Sequence, residues 1–362
     1  MMTRSDIAHQ RLHTQRIAGA KFETPDAVVR WLGAVQAQDY AGAKWAVGQR
    51  MRDATDAALD RAVADGTILR THVMRPTWHF VVPADIRWLL ALTAPRVKAA
   101  CAYYDRQRAL DDDIFARSNA ALANALHGGA HLTRTELASV LQHAGIATDD
   151  LRLGSFMMRA ELDGVLCSGA RRGKQFTYAL LDERAPLAET LTHDEALAEL
   201  TRRYMMSHGP ATVQDFVWWS GLTMTDAKAG LAMIEPELMH EVVDGRTYWF
   251  AASAPIARDP SPTAFLLPYF DEYTVGYADR SAALDTPPTE HVDARNSLLL
   301  NPVIVIDSRV VGTWKRILKK DTVIVEATPF APLGPTVASA LEVAAARYGQ
   351  FIGVPAALRI SQ

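Results

Sequence analysis

The stretch from Leu132 to Leu181 constrains the fold more than any other part of the chain. Thr133 followed by Glu136 is a capping-box pattern, in which each side chain satisfies a backbone N–H of the other residue, and it opens a helix that Gly145 ends. Leu151 to Leu162 supplies a second helix. Two β-rich runs, Val165–Ser168 and Gln175–Leu180, then flank Gly169-Ala170-Arg171-Arg172-Gly173-Lys174. Helix, turn, helix and a hairpin with a basic tip is a winged-helix signature. Such a module lays its second helix in the major groove and its wing along the backbone or minor groove.

The same grammar stands on either side. Upstream, residues 4–20 read as a helix with Ile7, Leu12 and Ile17 among polar positions, whose Arg4, Arg11 and Arg16 either reach phosphates or, the plainer reading, form a solvated face. Thr24-Pro25-Asp26 starts another helix, and Asp53 to Ala64 forms one more, stopped by Asp65-Gly66. Runs at Thr67–Val73 and Trp78–Val82 make a hairpin with its turn at Met74-Arg75-Pro76-Thr77. Other α+β modules share this grammar with winged helices. Downstream, Thr192 caps a helix carrying Leu197, Leu200 and Tyr204 on one face, Val213–Trp219 forms the next, and Thr223 caps a third from Met224. Leu238–Val243 then pairs with Thr247–Phe250 across Asp244-Gly245, a strong hairpin signal. Residues 252–262 read as a linker. Beyond it, strands at Val303–Ile306, Val310–Trp314 and Thr322–Glu326 and a helix from Thr336 to Tyr348 make a small α+β module. The expected class is α+β: three tandem winged-helix modules (1–100, 101–187 and 188–252) followed by a C-terminal β-rich module (262–362).

One short segment does not fit a purely structural role. Val28, Leu32 and Val35 continue an apolar helical stripe, and Gln36-Ala37-Gln38 interrupts it. Two residues apart on a helix, the glutamine side chains would diverge by about 200°. They serve one site only if the chain turns extended near Gln36, where the period is two. Two amides together can fix a water molecule. On these residues alone, a helix end whose amides simply meet solvent is the plainer reading.

Composition narrows the classes. The chain has 362 residues, 49% hydrophobic and 22% charged, which is ordinary for a soluble globular protein. No run of eighteen or more apolar residues spans a membrane, and no secretory signal is visible, so the expected location is the cytoplasm. Cys101 and Cys167 are far apart and read as buried reduced thiols. The net charge of −3 argues against a generally basic protein but not against local basic patches. The densest such patch is Lys315, Arg316, Lys319 and Lys320. His72 and His79 lack a third ligand at sensible spacing, so no metal is expected. Trp78, Trp218, Trp219 and Trp249 read mainly as core residues.

Four segments, Gln36-Ala37-Gln38, Arg70 to His79, Leu266 to Tyr273 and Val311 to Arg316, together resemble the AlkZ-like (YcaQ-related) bacterial DNA glycosylases. The resemblance runs from about residue 5 to about residue 355, with the motifs in the family's order. It implies three tandem winged helices, a C-terminal β-rich part, removal of alkylated purines and unhooking of interstrand crosslinks. The family's catalytic element is Gln, an apolar residue, then Gln or Asp, which maps onto Gln36 and Gln38 here. Pro76 stands where the family usually carries Gly. Proline has no N–H and a fixed φ, so a differently shaped hairpin turn is expected there.

A double glutamine suits one kind of lesion. Hydrolysis of an N-glycosidic bond normally uses a carboxylate near the sugar. Glutamines supply only positioning and amide dipoles, which suffices when the base leaves easily. An N7- or N3-alkylated purine is already cationic and needs no general acid. Asp39 is adjacent, but alternation points it away from the glutamines. Arg70, Arg75 and His79 on the first hairpin, Arg171, Arg172 and Lys174 on the second wing, and the 315–320 cluster are the expected DNA contacts. The expected protein is a monofunctional, cofactor-free, monomeric glycosylase acting on double-stranded DNA with no obligate protein partner. A non-catalytic winged-helix regulator is the alternative, and a protein-interaction scaffold a third, which would leave the basic tips unexplained.

Overall fold

Caps set most of the element boundaries. The computed structural model describes residues 2–185, 190–252, 261–284 and 301–361. Helix α1 (Arg4–Thr14) starts on a Thr3–Asp6 capping box, and α2 (Pro25–Leu32) starts with proline in its first turn. Gly33, at φ +80°, ends α2 and releases the chain into β1 (Val35–Gln36). Helices α3 (Tyr40–Gln49) and α4 (Asp56–Asp65) follow, then β2 (Leu69–Val73) and β3 (Arg75–Val81). Strand β3 is central in the sheet order β1-β3-β2, so the glutamine segment is hydrogen-bonded to the hairpin.

The middle of the chain comprises α5 (Pro83–Gln107), α6 (Asp112–Leu126), β4 (Leu132–Thr133), α7 (Arg134–His143), α8 (Asp150–Leu162), β5 (Leu166–Ser168), β6 (Thr177–Leu180) and α9 (Leu181–Arg184). The Thr133–Glu136 capping box forms as expected. Next come α10 (His193–His208), α11 (Val213–Ser220), α12 (Met224–Ile234), β7 (Leu238–Val243) and β8 (Arg246–Ala251). Asp244 and Gly245 both take positive φ at the β7–β8 turn, as a tight hairpin demands. The last part holds β9 (Ala264–Leu267), α13 (Glu272–Val275), β10 (Val303–Ile306), β11 (Arg309–Leu318), β12 (Val323–Pro329), a closing helix (Pro335–Ile352) and β13 (Ala356–Ile360). Its sheet runs β13-β12-β11-β10-β9, antiparallel except for β12–β13. Most of the expected linker, 253–260, lies outside the described residues. Among the described residues, no helix is long and apolar enough to cross a membrane.

The parts interlock rather than follow one another like beads. Leu32, Val47 and Phe80 share one core with Ile304, Trp314, Leu341 and Phe351, so α2, α3 and β3, which flank the glutamine segment, pack on the C-terminal sheet and closing helix. The hairpin β2–β3 packs through Leu69 and Val73 into a second core with Leu89, Leu200 and Trp219. Residues of α6, α7 and α8, among them Phe115, Leu122, Leu137 and Phe156, build a separate core. The expected boundary at residue 100 falls inside the continuous helix α5. Arg11 also departs from expectation. It is buried at 2% exposure, donates to the Pro210 carbonyl at 2.9 Å and lies over the Tyr277 ring, so that face of α1 is not solvated.

Candidate active site

Gln36 ends strand β1, and Gln38 follows two residues on, at a bend before α3. Gln36 pairs in register with His79, and the Ala37 N–H donates to the Trp78 carbonyl at 2.6 Å. Ala37 is fully buried and Gln36 is 8% exposed, whereas Gln38 is exposed. The Gln38 side-chain oxygen accepts a long hydrogen bond, 3.4 Å, from the Trp78 N–H. Asp39 turns away, toward Arg316 at 3.9 Å, in agreement with the alternation.

Gln36 is held from two directions. Its side-chain oxygen accepts from Arg75 Nη2 at 2.8 Å, and its backbone N–H donates to Glu272 Oε1 at 3.0 Å. The other carboxylate oxygen of Glu272 accepts from Trp219 Nε1 at 2.8 Å and lies 3.3 Å from His208 Nε2. Burial opposes the charge on Glu272, but the contacts to His208 and the Gln36 N–H, with the Arg75 charge, outweigh it and hold the carboxyl below its ordinary value. Burial pushes the His208 imidazole down, so the pair is carboxylate with neutral imidazole. The chain reaches this position through Phe270, whose φ of +59° is left-handed and unusual for a bulky residue. That turn lets Asp271 and Glu272 both point inward. Asp271 takes a bidentate pair from Arg50 at 2.8 and 2.9 Å, with both side chains fully buried and Gln15 accepting from the same guanidinium.

The hairpin residues are engaged within the protein. Arg70 is buried, donates to the Ala37 carbonyl at 3.0 Å, and lies between the rings of Trp78 (4.3 Å) and Phe176 (4.7 Å). Its guanidinium props the glutamine segment through the Ala37 carbonyl. His79 is buried as well. It is 1% exposed, and its Nδ1 lies 2.9 Å from the Thr77 carbonyl while Nε2 is buried without a partner among the described residues. Burial, then the Arg75 charge, push its imidazole down to about 3. Burial likewise holds the Arg75 guanidinium below its ordinary value, and its partners are Gln36 and, at 3.4 Å, the Trp218 carbonyl. Pro76 is accommodated by a register shift: Val73 pairs with Arg75 and His72 with Trp78, which leaves Pro76 and Thr77 unmatched in a bulge. The tight turn is therefore Met74 at φ +63°, shorter than expected and packed against Gly221, where a Cβ would come 2.6 Å from the Met74 carbonyl oxygen.

Of the wing residues, Arg171 folds back over Tyr40 and Phe176 and lies 3.7 Å from Asp60. Arg172 pairs with Glu136 at 2.7 Å, and Lys174 is exposed. At the C-terminal hairpin, Lys315 pairs with Glu326 at 2.8 Å while keeping most of its surface, and Arg316 donates to the Tyr348 hydroxyl at 3.0 Å. Lys319 and Lys320 are exposed at the β11–β12 turn, next to an exposed Leu318. Of the tryptophans, Trp219 is fully buried and Trp218 is 44% exposed.

Sequence reading missed Glu272, Asp271, His208 and Arg50. The one available signal was the Asp271-Glu272 pair inside an otherwise apolar run, since two acids placed there must be buried and paired.

A model of the family described as DNA glycosylase AlkZ-like matches residues 29–351. The chain belongs to the AlkZ-like DNA glycosylase family. It is 28% identical over 342 residues to an interstrand DNA cross-link repair glycosylase from Streptomyces sahachiroi, covering 91% of each chain. Its fold matches the solved structure of Streptomyces sahachiroi DNA glycosylase AlkZ with a TM-score of 0.77 at 24% identity, over 99% of this chain and 100% of the other. As an AlkZ-like protein it is a DNA glycosylase, a hydrolase of N-glycosyl bonds.

Proposed function

We propose that this glycosylase releases cationic N7- or N3-alkylated purines from double-stranded DNA, with Gln36 and Gln38 positioning the attacking water. The observation that carries this reading is the lack, among the described residues around the two amides, of a group able to protonate a leaving base. His79 is neutral and buried, Glu272 is an anion behind the strand, and Arg75 is a guanidinium that does not give up its proton. A site without an acid requires a base that leaves as a neutral molecule, which an N7-alkylated purine does and uracil does not.

The same reading covers crosslinks, in keeping with the similarity to the interstrand DNA cross-link repair glycosylase of Streptomyces sahachiroi. The Gln38 side chain is exposed just past the end of β1, so a bulky N7 substituent or a second strand has room to approach it. We read the three helix-plus-hairpin segments as winged helices that hold the duplex. Lys174, Lys315, Lys319 and Lys320, which keep exposed ammonium groups, are assigned to phosphates. In this reading the enzyme works in the cytoplasm as a cofactor-free monomer.

Excision assays on matched duplexes test the reading. N7-methylguanine and an N7-linked interstrand crosslink should be released, while uracil and 8-oxoguanine stay in place at equal enzyme concentration. Robust uracil release would overturn it.

A further inference from the structure

We propose that Arg75 is a positioning residue which, with Glu272, fixes Gln36 so that its carboxamide presents the NH2 group, and not the oxygen, to the substrate. This rests on the catalytic reading of Gln36. A guanidinium carries five N–H donors and no acceptor, so the Gln36 atom 2.8 Å from Arg75 Nη2 must be the carbonyl oxygen. With that oxygen committed, the other half of the amide is directed away from Arg75. The backbone is pinned as well, because the Glu272 carboxylate takes the Gln36 N–H at 3.0 Å, and Trp219 and His208 hold the carboxylate in turn. Strand β1 is only two residues long, so these outside anchors, rather than an extended ladder, hold the side chain. Arg75 has its own second anchor in the Trp218 carbonyl at 3.4 Å, on α11.

A division of labour between the two glutamines follows. Gln36 is the donor, holding one lone pair of the attacking water. Gln38 is exposed, and its oxygen is engaged only by the long bond from Trp78, so it is the acceptor for a water hydrogen. The second lone pair of the water is then left to face the sugar carbon. Neither amide takes a proton. The proton of the attacking water is lost to solvent after the bond has formed, and the base departs with the electron pair of the glycosidic bond.

The test uses the full-length enzyme on N7-methylguanine duplex under single-turnover conditions. Arg75→Met should lower the saturating rate by roughly 10-fold to 100-fold, the scale for losing an oriented group, with unchanged affinity and salt dependence. In a Gln36→Ala background, Arg75→Met should add nothing, because the clamp then has nothing to hold. Arg75→Lys, whose ammonium also donates to the amide oxygen, should recover most of the rate. Weaker binding with a salt slope lowered by about one at an unchanged saturating rate would make Arg75 a phosphate contact and overturn the proposal. So would losses that multiply in the double variant. Should Arg75→Met not fold, Gln36→Glu reads the same geometry: a carboxylate keeps Arg75 but offers no N–H. The clamp then requires a loss as deep as that of Gln36→Ala, and full activity contradicts it. Retained activity in Gln36→Ala itself would sink the catalytic reading instead, so the two failures are distinguishable.

Discussion

Gln36→Ala and Gln38→Ala each lower the saturating rate of lesion release by roughly 10²-fold or more, while lesion DNA binds as it does to the unaltered enzyme. The separation follows from where the side chains stand. The two amides are uncharged, with Gln36 on β1 paired to β3 and Gln38 just beyond it, so truncating them removes none of the ammonium groups assigned to phosphates. The fold should tolerate both changes. Gln38 is exposed with one long hydrogen bond, and Gln36 keeps its backbone bond to Glu272 after truncation. Single-turnover kinetics beside equilibrium binding would show the split. Were either variant fully active, the site would lie elsewhere, and Asp39, now 3.9 Å from Arg316, would be the first group to examine.

Asp271→Ala has the largest expected effect on stability. It leaves the Arg50 guanidinium charged and fully buried with only Gln15 and backbone carbonyls around it. Breaking one side of a buried pair costs about 3–5 kcal/mol, because the remaining charge loses its partner and cannot reach water. Asp271 also caps α13 by accepting from the Tyr273 N–H at 3.0 Å, and it immediately precedes Glu272. Urea denaturation should therefore show a large drop in midpoint with little change in slope. A loss below about 1 kcal/mol would mean that solvent reaches Arg50 on truncation, and that the pair is not what sets the chain after Phe270.

Local chemistry made much of this fold readable. Thr133 with Glu136, Thr192 with Glu195, and Asp244-Gly245 each carry their own hydrogen-bond logic, and the structure shows the capping boxes and the turn where those residues stand. Helix α3 was not readable because it is buried on nearly every side, which erases the amphipathic period. Its glycines also suggest a loop, yet they are required by packing: a Cβ on Gly48 would sit 2.6 Å from the Phe351 ring. Helix α5, with Pro95 in its interior, escaped for a similar reason. Gln36 and Gln38 were singled out by the family resemblance, together with a two-residue spacing that brings both to one site only in extended chain. Glu272 was not, since it meets Gln36 across 236 positions of sequence and nothing local records that contact. Arg70, Arg75 and His79 were found from sequence by charge type, which suggests a phosphate partner; the hydrogen bonds of Arg70 and Arg75 to the glutamine segment, and the burial of Arg70 and His79, are visible only in three dimensions.

Positioning of water without acid or base is most directly tested by the pH dependence of single-turnover N7-methylguanine release. His79 is held down to about 3 and the Glu272 carboxyl lies below its ordinary value, so neither changes charge near neutrality. Between about pH 6 and about pH 9 the saturating rate should stay flat within about twofold, as expected when no catalytic proton transfer occurs. A limb changing by about tenfold per pH unit inside that window would reveal a titrating general acid or base and contradict the positioning mechanism.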